Sequence, residues 1–577
     1  MKEANKLLLM SLVVGIASGL AAVALSYLIH LIQSFFRSSF VESGRVILYF
    51  VLPGVGMLLA MLFVRYVIKD NIGHGVTKVL VAVSRNESRI KPHNTWSSIL
   101  SSAVTIGFGG SVGAEAPIVY TGAAIGSNFA RFAGLSHRSM TILIGCGAAG
   151  AIAGIFKAPL AGVLFTLEIL LFNISMTSMM PLLLSTVSAT VVSYVFLGHE
   201  FPFQCTLTAF SMVNIPFYVI LGIVGGLLSV YFIRMTLYLE DKIGGMKNHI
   251  SKWFICAVLL GVLIFLFPPL YGEGYDSLGV LLNGGTIVLD GMTPLAGLLH
   301  SKWGIPLFFT LILLLKVFSM TLTNAGGGVG GTFGPTLFVG AITGFVVARV
   351  INIIMVNAGI SVPEQNFVLV GMAALMAGVM QAPMTAIFLI AEISGGYELF
   401  LPLIISAAFS FGTTRIFERF SIYTKRIAQS GELLTHDNDQ AVLTLLKTRD
   451  LVRDKYPRVN VDMTLGQFVG VISDSEAQVF AVLDDDEHLM GLVEMDRMRK
   501  LMFQTDQYDT MCVGDFMESP QDVVFLDEKM DSVMDKFDRT QAWRLPVVDE
   551  DRVYSGFVSK SRILSAYRTE LKEISQD

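Results

Sequence analysis

Charge is what this 577-residue chain has least of. Asp, Glu, Lys and Arg make up 15% of it, against 53% hydrophobic residues. An ordinary soluble domain carries about 25% charged residues, so a wholly soluble protein is excluded. Cysteine is nearly absent. Cys146, Cys205, Cys256 and Cys512 show no C-x-x-C spacing, which argues against a disulfide framework or a zinc site. Cys146 and Cys256 lie in apolar runs and read as small buried residues. No Ser/His/Asp or metal-ligand cluster stands out, so an enzyme is not expected. Acidic residues inside apolar runs are few, which disfavours a carrier of divalent cations, because such ions demand converging oxygen ligands.

The little charge there is divides unevenly. Residues 1–425 hold 23 Lys and Arg against 16 Asp and Glu, and residues 426–577 hold 18 against 30. The first part reads as a multi-pass membrane domain and the last as an acidic soluble one. Apolar runs lie near 7–35, 46–68, 138–172, 178–197, 214–238, 253–270, 303–323, 335–356, 366–393 and 399–414. Several reach the roughly 20 residues that cross a bilayer core, and others are cut short by glycine. The first run is too long for a signal peptide and no clear small-residue cleavage site follows, so it is expected to stay as a helix. Lys2 and Lys6 before it favour a cytoplasmic N-terminus.

Within the apolar part the chain repeats itself. Gly113-Ala114-Glu115-Ala116-Pro117 is followed by Gly122 and Gly126, and Gly331-Thr332-Phe333-Gly334-Pro335 by Gly340 and Gly344, an offset of 218 residues. Ala153-Gly154-Ile155-Phe156-Lys157-Ala158-Pro159 returns as Ala377-Gly378-Val379-Met380-Gln381-Ala382-Pro383 after 224, with Glu168 and Glu392 each nine residues past their proline. Repeated halves whose apolar helices are interrupted by Gly and Pro mark a transporter built from structural repeats. Exposed amides at a helix start form an anion site, and irregular backbone at membrane depth persists only where protein or a watery cavity satisfies it. The stretches 72–76, 107–117 and 326–335 fit that description. Tight helix packing by small residues is the competing explanation of their glycines.

At these residues the chain resembles the CLC family of chloride channels and chloride/proton antiporters, over nearly all of 1–425. Gly113 to Pro117 is similar to the family's Gly-x-Glu-Gly-Pro, with Ala116 in place of the second glycine. The resemblance makes Glu115 the gating glutamate, a carboxylate that competes with the anion. Gly331 to Pro335 matches Gly-x-Phe-x-Pro, which implies that amides near Thr332, Phe333 and Gly334 face the anion. Ser421-Ile422-Tyr423 resembles the segment carrying the pore tyrosine, so Tyr423 is expected to donate its hydroxyl. The family's Gly-Ser-Gly-Ile-Pro is replaced by Gly73-His74-Gly75-Val76-Thr77. His74 stands where a serine usually meets the anion, either donating an N–H or turning away and leaving the amides near Gly75 to coordinate. After Ala158-Pro159-Leu160-Ala161-Gly162, antiporters carry paired glutamates. Here Glu168 is followed by Ile169, which cannot hold a proton. Glu168 is then either a substitute proton relay or, like Glu392, a cap near a helix end.

The tail repeats too. Val482-Leu483-Asp484 with Gly491-Leu492-Val493 recurs 65 residues later as Val547-Val548-Asp549 with Gly556-Phe557-Val558. Short β-branched runs alternating with helical stretches give an α/β pattern that resembles a tandem CBS pair. Such pairs bind adenine nucleotides through a Ser/Thr and an Asp. Ser559 is the one weak candidate, because Glu494 stands in its place in the first module and Arg497 and Arg562 stand where the aspartates would be. No other cofactor is expected. Asp484-Asp485-Asp486-Glu487 reads as a solvated acidic face.

The expected fold is an all-α polytopic membrane domain of two inverted repeats with broken helices, near 1–200 and 214–425. A linker over 426–449 leads to a small cytoplasmic α/β CBS pair, 450–508 and 509–577. The expected activity is chloride transport through a pathway in each subunit of a homodimer in a plasma or inner membrane. Loss of an acid at Ile169 favours a gated channel over a chloride/proton antiporter, with a CBS-containing divalent-cation transporter well behind. Chloride, membrane lipid and, for an antiporter, protons are the expected partners, and no nucleic acid. Replacing His74→Ser should keep transport and change its pH sensitivity or halide preference in a liposome flux assay. Unchanged profiles would place the ring away from the anion.

Overall fold

Two long apolar runs, 138–172 and 366–393, turn out to be helical hairpins rather than single spans. In a computed structural model the described residues are 3–43, 47–70, 72–73, 75–85, 88–170, 176–198, 207–246, 248–283, 293–429, 446–453 and 456–575. Lys2, His74, Cys205 and most of the expected linker lie outside them. The chain forms two units, Met1–Leu433 and Leu434–Asp577.

The first unit is helical. In chain order it contains α1 (Glu3–Ser43), α2 (Ile47–Leu62), α3 (Gly75–Arg85), α4 (Ser97–Gly107), α5 (Glu115–Phe132), α6 (His137–Phe156), α7 (Pro159–Glu168) and α8 (Met176–Leu197). Then follow α9 (Ile215–Gly244), α10 (His249–Leu266), α11 (Tyr275–Leu282), α12 (Gly304–Ala325), α13 (Phe333–Ile354), α14 (Glu364–Met380), α15 (Pro383–Ile393), α16 (Phe400–Phe417) and α17 (Ile422–Gln429). Nine helical segments among the described residues are long and apolar enough to cross a membrane. With 10 and 11 residues, α7 and α15 reach about 15 Å at 1.5 Å per residue, half a bilayer core.

The breaks obey the repeat. Lys157 (φ 56°) and Gln381 (φ 53°) both adopt left-handed backbone, 224 positions apart, and each ends a helix two residues before a proline that opens the next. A left-handed residue terminates a helix, and proline at the first helical position loses no hydrogen bond. Packing obeys the repeat as well. A Cβ on Gly122 would fall 2.1 Å from the Gly147 carbonyl oxygen, and one on Gly340 would fall 2.5 Å from that of Gly371. Small residues thus let α5 meet α6, and α13 meet α14, backbone to backbone.

Hydropathy alone passes over α4. Its serines dilute the apolar signal, yet Ser97, Ser98, Ser101 and Ser102 are all buried. Part of the cost is offset along the helix itself: the Ser101 hydroxyl donates to the Ser97 carbonyl at 2.9 Å, Ser102 to the Ile99 carbonyl at 3.3 Å and Thr105 to the Ser101 carbonyl at 2.9 Å.

The second unit holds two three-stranded sheets. Strands β1 (Arg458–Asn460), β2 (Val479–Leu483) and β3 (Leu489–Glu494) form one, with β1 parallel and β3 antiparallel to β2. Strands β4 (Val524–Phe525), β5 (Arg544–Val548) and β6 (Tyr554–Ser559) repeat the pattern. The first sheet is covered mainly by Leu465, Phe468 and Ile472, with Val513 and Phe516 in the same core, and the second by Met530, Val533 and Phe537, with Leu451 in that core. The acidic turn has a structural use: Asp484 Oδ1 accepts from the amides of Asp486 (3.0 Å) and His488 (2.8 Å), as Asp549 does from Asp551 and Val553.

In α13, a Cβ on Gly344 would stand 1.8 Å from the Phe367 carbonyl oxygen of α14. Gly344→Val should therefore destabilise the membrane unit by about 1–3 kcal/mol, read as a lower unfolding midpoint in detergent. Gly412→Ala, where a Cβ meets nothing within 4 Å, should not lower it.

Candidate anion site

Glu115 is the first residue of α5 and only 2% exposed. Its carboxylate reaches into the other repeat. Oε2 accepts from the Gly334 amide at 3.1 Å, and Oε1 accepts from the Tyr275 hydroxyl at 2.7 Å. Gly334 is the second residue of α13, so its amide has no partner within the helix and points the positive dipole end at whatever faces it. The carboxylate occupies a position whose chemistry suits any small anion. Two glycines make the room: a Cβ on Gly113 would lie 2.1 Å from Glu115 Oε2, and one on Gly334 would lie 3.1 Å from Oε1.

The two motif copies hold each other. The Gly113 amide donates to the Gly331 carbonyl at 3.1 Å, and the Gly331 amide donates to the Gly113 carbonyl at 2.7 Å. These residues are 218 positions apart, the offset of the motif itself, so the local symmetry axis of the repeats runs through this pair. Around it stand most of the residues expected from the sequence. Gly75 begins α3, where a Cβ would fall 2.3 Å from the Ala116 carbonyl oxygen. The Thr332 hydroxyl donates to the Tyr423 hydroxyl oxygen at 3.4 Å, and Tyr423 is 2% exposed. Phe333 is buried with its ring centroid 5.6 Å from that of Phe156 and 6.2 Å from that of Phe165. A cavity of about 510 Å³ adjoins two of the glycine-rich stretches, lined by Ile72 and Gly73 from one and Gly327, Gly328 and Val329 from the other, with Arg65 beside them. No group of His, Cys, Asp or Glu among the described residues is able to hold a metal ion.

Against this geometry, a family model described as voltage gated chloride channel matches residues 55–415. The chain belongs to that family. A CBS domain model matches residues 513–569. A putative chloride channel protein, ClcB-like, of Ralstonia nicotianae is 27% identical over 394 residues, covering 66% of this chain and 85% of that protein. The H(+)/Cl(-) exchange transporter ClcA of Vibrio cholerae is 25% identical over 430 residues, covering 70% and 86%. In fold the chain is similar to a slow cyanobacterial Cl-/H+ antiporter, with a TM-score of 0.63 at 20% identity over 74% of this chain and 97% of that one. It is also similar to a eukaryotic CLC transporter, with 0.61 at 19% over 96% and 97%. Chloride transport is thus the class of this CLC protein.

Two of the residues singled out from the sequence stand apart from the Glu115 site. Glu168 accepts from the amides of Met384 (3.0 Å) and Thr385 (2.7 Å) and from the Thr385 hydroxyl (2.7 Å), at the start of α15. Glu392 returns the arrangement, accepting from Leu160 (3.1 Å) and Ala161 (2.9 Å) at the start of α7. Each glutamate at one helix end thereby caps the other repeat's half-length helix. In the second unit, Ser559 Oγ accepts from the Arg562 amide at 3.3 Å, at the start of the helix Lys560–Ser575. Sequence reasoning passed over Tyr275, Glu273 and Lys316. The signal was present in Gly272-Glu273-Gly274-Tyr275 and in the lone lysine of the apolar run 303–323.

Glu115→Gln in this CLC protein should leave the fold intact, raise chloride flux at neutral pH several-fold and flatten its dependence on pH. Chloride efflux from liposomes across a pH series checks this, and a variant that folds with the parent's flux and pH response would remove Glu115 from the gate.

Proposed function

We propose that this protein is a gated chloride channel, with one anion pathway in each subunit of a homodimer. The observation that carries the reading is the Glu115 carboxylate seated on the Gly334 amide. A side chain that fills an anion position blocks it while charged and vacates it once protonated. The amides near Gly75, Ala116, Thr332, Phe333 and Gly334 and the hydroxyl of Tyr423 line the route. His74 belongs to the same motif, and its part is left to the substitution described above.

Passive flux is favoured over exchange for two reasons. An antiporter must deliver protons to Glu115 through an apolar interior, and the usual relay position is Ile169, a hydrocarbon only 3% exposed. The neighbouring acid, Glu168, spends its carboxylate on three hydrogen bonds to Met384 and Thr385. Three bonds at the start of α15 give this side chain the part of a structural cap. The relative named as an exchanger keeps antiport as the rival outcome.

A chloride gradient imposed on proteoliposomes should drive chloride efflux without uphill proton movement, recorded with a chloride and a pH electrode together and a proton ionophore as control. Sustained proton pumping tied to chloride would overturn the channel reading. If pumping occurs and is lost in Glu168→Gln with chloride flux retained, Glu168 is the relay.

A further inference from the structure

We infer that Glu273 is a positioning carboxylate for the Glu115 gate, set against Glu115 by the loop 272–275 and balanced by the buried ammonium of Lys316. This rests on the reading of Glu115 as a gate. It starts from a short loop in which every residue has a structural task. Gly272 (φ 61°) and Gly274 (φ 90°) are both left-handed, a backbone that glycine adopts without strain. A Cβ on Gly274 would stand 2.5 Å from the Phe338 ring, so the loop also lies close against α13. The Gly272 amide donates to the Gly109 carbonyl at 3.0 Å. Between and after these glycines the loop presents Glu273 and Tyr275 to the start of α5. Glu273 Oε1 accepts from the Ala114 amide at 3.0 Å, one residue before Glu115, and Tyr275 donates to Glu115 itself.

Beneath the loop lies Lys316, fully buried in α12. Its ammonium donates to Ser111 Oγ at 2.8 Å and to the Gly272 carbonyl at 3.0 Å, and it stands 4.8 Å from the centroid of the Phe338 ring. All three partners are neutral, and burying an ammonium among neutral groups is costly. The charge is compensated at longer range by the carboxylate of Glu273. The ionisable groups that act on Glu273 are Glu115 on α5, Lys316 on α12 and the Tyr275 phenol on its own loop.

The consequence is two carboxylates side by side on two helix starts. Glu115 covers the Gly334 amide of α13, and Glu273 covers the Ala114 amide at α5. While Glu273 is charged it repels the Glu115 carboxylate, and so helps Glu115 take up the proton that opens the gate. Lys316 keeps Glu273 charged.

The pH dependence of the gate should therefore follow the charge at position 273. In liposome chloride efflux measured across pH, Glu273→Gln removes the repulsion that helps Glu115 accept a proton. More acid is then needed to open the gate, and the midpoint should move about one unit toward acid. The shift should vanish in a Glu115→Gln background. A Glu273→Gln profile that superimposes on the parent, or a midpoint moved toward alkali, overturns the proposal. If Glu115→Gln itself matches the parent, the reading of Glu115 as gate fails instead, and that outcome is distinct because it is read in the single variant.

Discussion

Helices that begin inside an apolar interior leave amides with nothing to bond, and in this protein four such starts are each met by a carboxylate. Glu115 serves α13, Glu273 serves α5, Glu168 serves α15 and Glu392 serves α7. In water these amides would be solvated. In a low-dielectric interior an unpaired amide costs free energy of order a lost hydrogen bond, and the aligned dipoles make a negative partner the favoured one. An anion pathway requires that at least one such start be vacated on demand, so the strength with which each carboxylate holds its amides separates structure from function.

That separation is visible in the bonding. Glu168 and Glu392 exchange places across the two repeats and are held by adjacent backbone amides, an arrangement that ties the half-length helices α7 and α15 together. Glu115 and Glu273 each hold a single amide, and Glu115 is joined by one phenol. The glycines around the pair keep the space that the carboxylate fills. The reciprocal Gly113–Gly331 backbone bonds fix the two motif copies to each other, so a moving carboxylate need not disturb the helices that carry it.

The C-terminal unit follows a different economy. Each small sheet is covered mainly by a helix of its own segment, and each core also takes in residues from farther along the chain: Val513 and Phe516 for the first, Leu451 for the second.

The sequence alone carried the membrane class, the two repeats with their offsets of 218 and 224, and the two glycine–proline motifs, because hydrophobic runs and glycine–proline breaks are local properties. It also marked out Glu115, His74, Gly75, Ala116, Thr332, Phe333, Gly334 and Tyr423. It passed over α4, whose buried serines dilute the apolar signal, and it read the hairpins at Lys157 and Gln381 as continuous runs. Only the tertiary structure decided which amide each carboxylate holds, since Glu168 meets α15 across more than 200 residues. It alone brought Glu273, Tyr275 and Lys316 together near the start of α5, because the residues they meet lie on elements distant in sequence.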